Sequence, residues 1–291
     1  MDKISTPVKT RQLLDKYGCV LRKSLGQNFL IEPKFVDKIV AAAELEKDEI
    51  VVEIGPGIGA LTQALATFAG HVAAVEIDHS LAAALREIFF YYPNITIFCD
   101  NALTVDFDEI ARSVRGDNIT NNSYKVVANL PYYITTPVIM RLLEGGYHYS
   151  SMVLMVQREV AQRMVAVPGT KDYGALSLGV QYYCIPSLIT VVPRTVFLPR
   201  PKVESMVIKL EKRIQPPVEL SDEKLFFLLI KAAFSQRRKT ILNALNNSAL
   251  LETKEQWERI LEQGFIDAKR RGETLTIKEF AVLANLLAAK R

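Results

Sequence analysis

The run Ile50-Val51-Val52-Glu53-Ile54, followed at once by Gly55-Pro56-Gly57-Ile58-Gly59 and an apolar segment, leaves this chain few ways to fold. A nearly unbroken apolar run of that length is a strand buried on both faces, as strands of parallel sheets are. The glycines let the backbone turn sharply and approach a ligand. The helix expected from Ala60 to Ala69 points its positive end at the same place. A second strand over Val72 to Glu76 puts Glu76 at its tip, where a carboxylate can accept both hydroxyls of a ribose. Gly-x-Gly-x-x-Ala also fits a dinucleotide fingerprint. Two residues turn the choice from NAD to S-adenosylmethionine. Glu53 can hold the loop or meet a cationic amino group, and Pro56 lacks the N–H that a pyrophosphate cradle would use.

Strand and helix alternate from there on: a helix from Ser80 to about Phe90, strands over Ile95–Cys99 and Tyr124–Ala128, and a helix opened by Thr136-Pro137 and closed by Gly145-Gly146. A strand over Met152–Val156 and a helical segment around Glu159–Val165 follow, then a β-pair formed by Ile185–Val192 and Val203–Leu210. Upstream, Thr6-Pro7 starts a helix to about Tyr17, and another spans Pro33 to Ala43. Lys23 to Leu30 between them shows neither period. Beyond the linker Lys212–Pro217 the pattern is helical only: Asp222–Phe234 capped by Ser221, Lys239–Leu245, Lys254–Leu261 and Ile277–Ala289. The expected architecture is α/β and Rossmann-like, with a mostly parallel central sheet over residues 1–212 and a small all-α domain over 218–291.

Three cysteines and three histidines, widely spaced and without Cys-x-x-Cys, argue against a zinc site or a disulfide framework. No run of eighteen apolar residues and no signal-peptide core is present, so the expectation is a cytoplasmic protein away from membranes. Net charge is only +4, but it is unevenly spread. The segment 1–31 carries Lys3, Lys9, Arg11, Lys16, Arg22 and Lys23 against Asp2 and Asp15, and the C-terminal part carries Arg237-Arg238-Lys239 and Lys269-Arg270-Arg271. Such clusters suit a phosphate-binding rim, and solvated helix faces equally.

The strand Tyr124–Ala128 ends in Asn129-Leu130-Pro131-Tyr132-Tyr133. Strand tails of this kind project into the ligand cleft. An amide oxygen, backbone carbonyls stiffened by proline and a flat ring suit gripping a planar base by its exocyclic amine. None of these groups is an acid, base or nucleophile of ordinary strength, so chemistry there needs a reactive cofactor.

With these motifs in order, the chain resembles the class I methyltransferases that act on amino groups. More closely, it resembles the bacterial small-subunit (16S) rRNA adenine dimethyltransferases, relatives of the Erm resistance methylases. The resemblance rests on Ser24–Leu30, Glu53–Gly59, Asn129–Tyr132, Val196–Val203 and Phe234–Thr240, and runs to Arg271-Gly272-Glu273. It implies S-adenosylmethionine as cofactor, with Asn28, Leu30, Gly55, Gly57, Glu76 and Asn129 lining its site. Asn101 stands where the family has an Asp facing the cofactor adenine, and Asp100 is just before it. It implies a substrate adenine held by Asn129, Leu130 and Pro131 and stacked between Tyr132 and Phe197. Arg22, Lys23, Lys202, Arg237, Arg238 and Lys239 become candidate RNA contacts. The implied activity is dimethylation of two adjacent adenines in the 3′-terminal hairpin loop of 16S rRNA, by a monomer acting on the small ribosomal subunit. The alternatives are an Erm-type enzyme of large-subunit rRNA, a ribosome-assembly factor without catalysis and, weakest, a dinucleotide-dependent oxidoreductase. His71, His79 and His148 are expected to be structural or exposed, and Trp257 to be core.

Overall fold

The structure, a computed structural model, describes residues 3–19, 26–115, 123–236, 238–248, 250 and 253–290. In chain order the first elements are α1 (Pro7–Lys16), β1 (Phe29–Leu30), α2 (Pro33–Ala43), β2 (Ile50–Ile54), α3 (Ala60–Phe68), β3 (His71–Glu76), α4 (His79–Ile88), β4 (Ile95–Cys99) and α5 (Phe107–Ser113). Next come β5 (Tyr124–Asn129), α6 (Thr135–Glu144), β6 (Tyr149–Gln157), α7 (Arg158–Val165), α8 (Ala175–Tyr183), β7 (Cys184–Val192), β8 (Phe197–Leu198) and β9 (Ser205–Lys212). Helices α9 (Glu223–Phe234), α10 (Ile241–Asn246), α11 (Lys254–Gln263) and α12 (Ile277–Ala288) finish the chain.

Seven strands form one sheet in the order β4-β3-β2-β5-β6-β9-β7, and β1 pairs with β8 in a separate two-stranded ribbon. β2 is parallel to both β3 and β5, and β9 is antiparallel to β6. Strand order reverses between β2 and β5, and a cleft opens beyond the carboxyl ends of strands at such a point. In register, Ile54 lies beside Val75 and Ala128. The loop after β2 and the tail of β5 therefore leave the sheet side by side. Every residue of β2 is buried, because helices cover both faces. Val36 and Ile39 of α2 and Leu61 and Leu65 of α3 pack with Val51, Val127 and Val153. Leu13 and Leu14 of α1 share a second cluster with Ala74 of β3 and Leu81 and Leu85 of α4.

The chain divides into two compact units, residues 1–161 with 186–212, and residues 162–185 with 213–291. The second unit differs from the boundary expected at residue 212. Tyr173, Leu178 and Tyr182 belong to the same core as Leu225, Phe226 and Leu229 of α9 and Trp257 of α11. Tyr173 Oη donates to the Leu275 carbonyl at 3.0 Å, and Tyr182 Oη to Glu223 at 3.1 Å. These hydroxyls satisfy themselves within the helical unit, so α8 is part of it. Asp222, not Ser221, caps α9, accepting the Leu225 N–H at 2.9 Å. No described helix is long and apolar enough to cross a membrane.

Candidate active site

A cavity of about 270 Å³ lies at the carboxyl ends of β2, β3, β4 and β5, within the first unit. Its wall gathers Asn28, Leu30, Gly55, Gly57, Glu76, Asn101, Asn129, Leu130, Pro131 and Tyr132, residues that lie far apart in the chain. The loop after β2 is tied down before any ligand arrives. Gly57 has φ +60°, and a Cβ there would lie 2.7 Å from the Phe29 ring, so only glycine fits. Its N–H donates to Glu76 Oε2 at 3.2 Å, while Glu76 Oε1 accepts the Asp78 N–H at 2.9 Å. Glu76 is thus held by two backbone donors, each oxygen keeping a further lone pair directed elsewhere. Burial to 5 % exposure raises its pKa above the usual carboxylate range, against the pull of those N–H groups.

Glu53 stands on the same wall in a different state. It is 1 % exposed, and its Oε2 has no hydrogen-bond partner among the described residues. Burial pushes its carboxyl up to about 8; the Thr62 hydroxyl pulls the other way and the Glu76 charge pushes further up. With Asp100 the cavity is lined by three acidic residues and, among the described residues, by no Lys, Arg or His. Such a cavity suits a ligand carrying positive charge.

At the end of β5, Asn129 Nδ2 donates to the Asn28 carbonyl at 2.9 Å, and Asn28 Nδ2 donates to the Gly26 carbonyl at 2.9 Å. With its nitrogen engaged, the Asn129 amide offers its oxygen as an acceptor. The Pro131 carbonyl is already taken, accepting Ile134 N–H at 3.2 Å and Thr135 Oγ1 at 3.1 Å. That leaves the Leu130 carbonyl as the second acceptor of the tail, a narrower assignment than the expected pair Leu130–Pro131. The Tyr132 ring is fixed by a hydrogen bond between its hydroxyl and Ser205 Oγ at 2.8 Å. Tyr133, 51 % exposed, also lines the cavity; only its place in a Tyr-Tyr doublet hinted at it.

Phe197 is the residue expected as a second stacking ring. It is 3 % exposed, packs with Leu30, Val36, Ile39, Val192 and Val207, and is not part of the cavity wall. Its strand β8 pairs with β1, placing Phe197 opposite Leu30, so its apolar surface is already satisfied by core neighbours. Asn101 and Asp100 both line the cavity, but the Asn101 side-chain Oδ1 accepts the Leu103 N–H at 2.9 Å. Asp100 Oδ1 accepts the Asn101 N–H at 2.6 Å, leaving Oδ2 as a further acceptor. Lys202 is exposed in the first unit, and Arg238 and Lys239 are exposed in the second. Arg22, Lys23 and Arg237 lie outside the described residues.

A family model described as "Ribosomal RNA adenine dimethylase" matches residues 19–284. The chain is 48 % identical to the "Ribosomal RNA small subunit methyltransferase A" of Alkaliphilus metalliredigens, covering all of both chains. It is 51 % identical to the protein of the same name from Moorella thermoacetica, over 99 % of each. Among solved structures it is similar to a dimethyladenosine transferase from Plasmodium falciparum, at 26 % identity and TM-score 0.73, over 87 % of this chain and 94 % of that one. It is also similar to the 23S rRNA methyltransferase ErmE, at 25 % identity and TM-score 0.65, over 89 % and 99 %.

Proposed function

Because the chain belongs to the ribosomal RNA adenine dimethylase family, we propose that its cavity carries out transfer of two methyl groups to each of two adjacent adenines in the 3′-terminal hairpin loop of 16S rRNA. The chain is a methyltransferase enzyme of rRNA adenines. Relatives of 48 % and 51 % identity over essentially full length are named for the small subunit, against 25 % for the 23S enzyme. These support the small-subunit target over the Erm-type alternative and over a role without catalysis. We place the reaction in the cytoplasm, performed by a monomer.

When bound, S-adenosylmethionine supplies an electrophilic methyl on a sulfonium. The residues present fit it: a buried, unpartnered Glu53 oxygen for its amino group, Glu76 for its ribose hydroxyls, Asp100 or Asn101 for its adenine, and Asn28 and Leu30 beside its methionine end. An adenine amine is a weak nucleophile because its lone pair is delocalised into the ring. Asn129 Oδ1 and the Leu130 carbonyl accept its two N–H bonds, draw the nitrogen toward tetrahedral geometry and stabilise the positive charge that develops there. Tyr132 receives the face of the base, which must leave its stack to enter. Most of the acceleration comes from holding nitrogen and methyl in line. An amide is not a base, so the proton leaves to solvent after transfer. Lys202, Arg238 and Lys239 are exposed cations available to RNA phosphates.

The pinned amide of Asn129 carries this reading. Asn129→Ala removes the acceptor without touching the Glu76 or Gly57 contacts. Methyl transfer should fall by at least about a hundredfold, the scale of losing one such acceptor or donor in a charge-developing step, while calorimetric cofactor affinity changes by less than about tenfold. Turnover near that of the unaltered protein would show that the amide does not hold the amine.

A further inference from the structure

Glu53, a buried acid of the cavity wall, has so far served only as a place for an amino group. We infer that Glu53 is a charge-selecting, proton-exchanging group: it is protonated in the unliganded protein and gives its proton to solvent when the cationic amino group of the cofactor settles against Oε2. The inference rests on the proposed cofactor.

The geometry sets Glu53 apart from the neighbouring acid. Glu76 has both oxygens anchored by backbone N–H groups, which sustain a carboxylate under burial. Glu53 Oε2 has no such donor among the described residues, although it is buried and belongs to the cavity wall. The groups around Glu53 give it no compensating charge. Its partners in register are Ala74 of β3 and Val127 of β5, both apolar. From α3 it faces the Thr62 hydroxyl, and from the end of β3 the Glu76 carboxylate, itself close to Asp78. Asp100 is the other acid of the wall. Lys125 of β5 is committed to Glu49 at 2.8 Å. A buried carboxylate that faces a hydroxyl but no cation stays neutral until a ligand brings positive charge. The pKa of about 8 that burial imposes agrees with this state.

The consequence is a cavity that takes up a cation in exchange for a proton. The sign follows from linkage: the ligand binds the deprotonated form, so affinity rises with pH below the Glu53 pKa and levels off above it. Glu76, also raised, would act in the same direction, and replacing Glu53 alone separates the two.

Titration calorimetry in two buffers of very different ionisation enthalpy, at one pH, reads the protons released. At pH 7, S-adenosylmethionine and S-adenosylhomocysteine, which share the amino group, should each release about 0.9 proton per site, the fraction protonated for a pKa of about 8. Methylthioadenosine, which lacks the amino acid, should release close to none. The Kd of the first two should improve about tenfold from pH 6 to pH 7 and level off above pH 8. Glu53→Gln should bring both the release and the pH slope for S-adenosylmethionine down to those of methylthioadenosine. Equal heats in both buffers for S-adenosylmethionine overturn the inference and leave the proposed function standing, and this measurement needs only the unaltered protein. Full proton release by Glu53→Gln overturns it as well. Failure of S-adenosylmethionine to bind at all would overturn the inference and the proposed function together.

Discussion

Asn101 and Asp100 divide between them a position that the family resemblance assigns to one acidic residue. The Asn101 side-chain Oδ1 is turned onto the Leu103 N–H, a local Asx-type bond that shapes the turn after β4. Asp100 keeps Oδ2 beyond its bond to the Asn101 N–H, which supports Asp100 as the proposed acceptor for the cofactor's adenine amine. A hydrogen bond to a charged group is worth about 1.5–3 kcal/mol. Asp100→Ala should therefore weaken cofactor binding by roughly 10- to 100-fold. Asn101→Ala should lower the melting temperature with a smaller loss of affinity. Calorimetry and thermal melts on the two variants check the ranking; a larger affinity loss for Asn101→Ala would return the role to Asn101. Asn129 and Glu76 were legible in the sequence because each ends an apolar strand, and strand ends face the cleft in this architecture. The burial of Phe197 was not legible, since an aromatic between prolines has the same sequence context whether it is buried or exposed. Nor was the occupied Pro131 carbonyl, which depends on where α6 begins.

At the scale of elements, the turn from β2 into α3 bears the greatest steric demand. Gly59 has φ +85°, and a Cβ there would lie 2.5 Å and 2.7 Å from two atoms of the buried Phe89 ring. Gly146 also has positive φ, +69°, but with nothing within 4 Å of its would-be Cβ. Gly59→Ala should combine backbone strain with overpacking and cost ~2–4 kcal/mol, lowering the melting temperature by roughly 5–15 °C. Gly146→Ala should cost only about 1 kcal/mol. Equal melting temperatures for the two variants would contradict the packing seen around α3. Long elements with a clear period, such as α2, β2 and α12, lie where the sequence pattern puts them. Shorter or less periodic ones escaped it. β1 has two residues, too few to show alternation, and α5 has seven, held by the Asp106 cap on the Asp108 and Glu109 N–H groups. α8, Ala-Leu-Ser-Leu-Gly-Val-Gln-Tyr-Tyr, is apolar nearly all round, and such a segment shows little helical period. Helix α6 starts at Thr135, ahead of the expected Thr136-Pro137 cap, because Ile134 N–H and the Thr135 hydroxyl both bond to the Pro131 carbonyl.

For the whole molecule, two units have separate cores. The first holds the cavity and the exposed Lys202; the second holds the exposed Arg238 and Lys239. Alternation of strands and helices followed by helices alone led to the expectation of domains over 1–212 and 218–291. The inclusion of 162–185 in the second did not show, since it follows from side chains of distant segments sharing one core. In the proposed reaction, Asn129 and the Leu130 carbonyl present an adenine amine twice over to a methyl donor, on the small subunit's RNA. Mass-spectrometric mapping of RNA recovered after incubating the protein and S-adenosylmethionine with under-methylated small subunits tests this proposal. Four added methyls are expected on one 3′-terminal fragment, two on each of two neighbouring adenines. Methyls confined to a different nucleotide, or found only when large-subunit RNA is supplied, would contradict it.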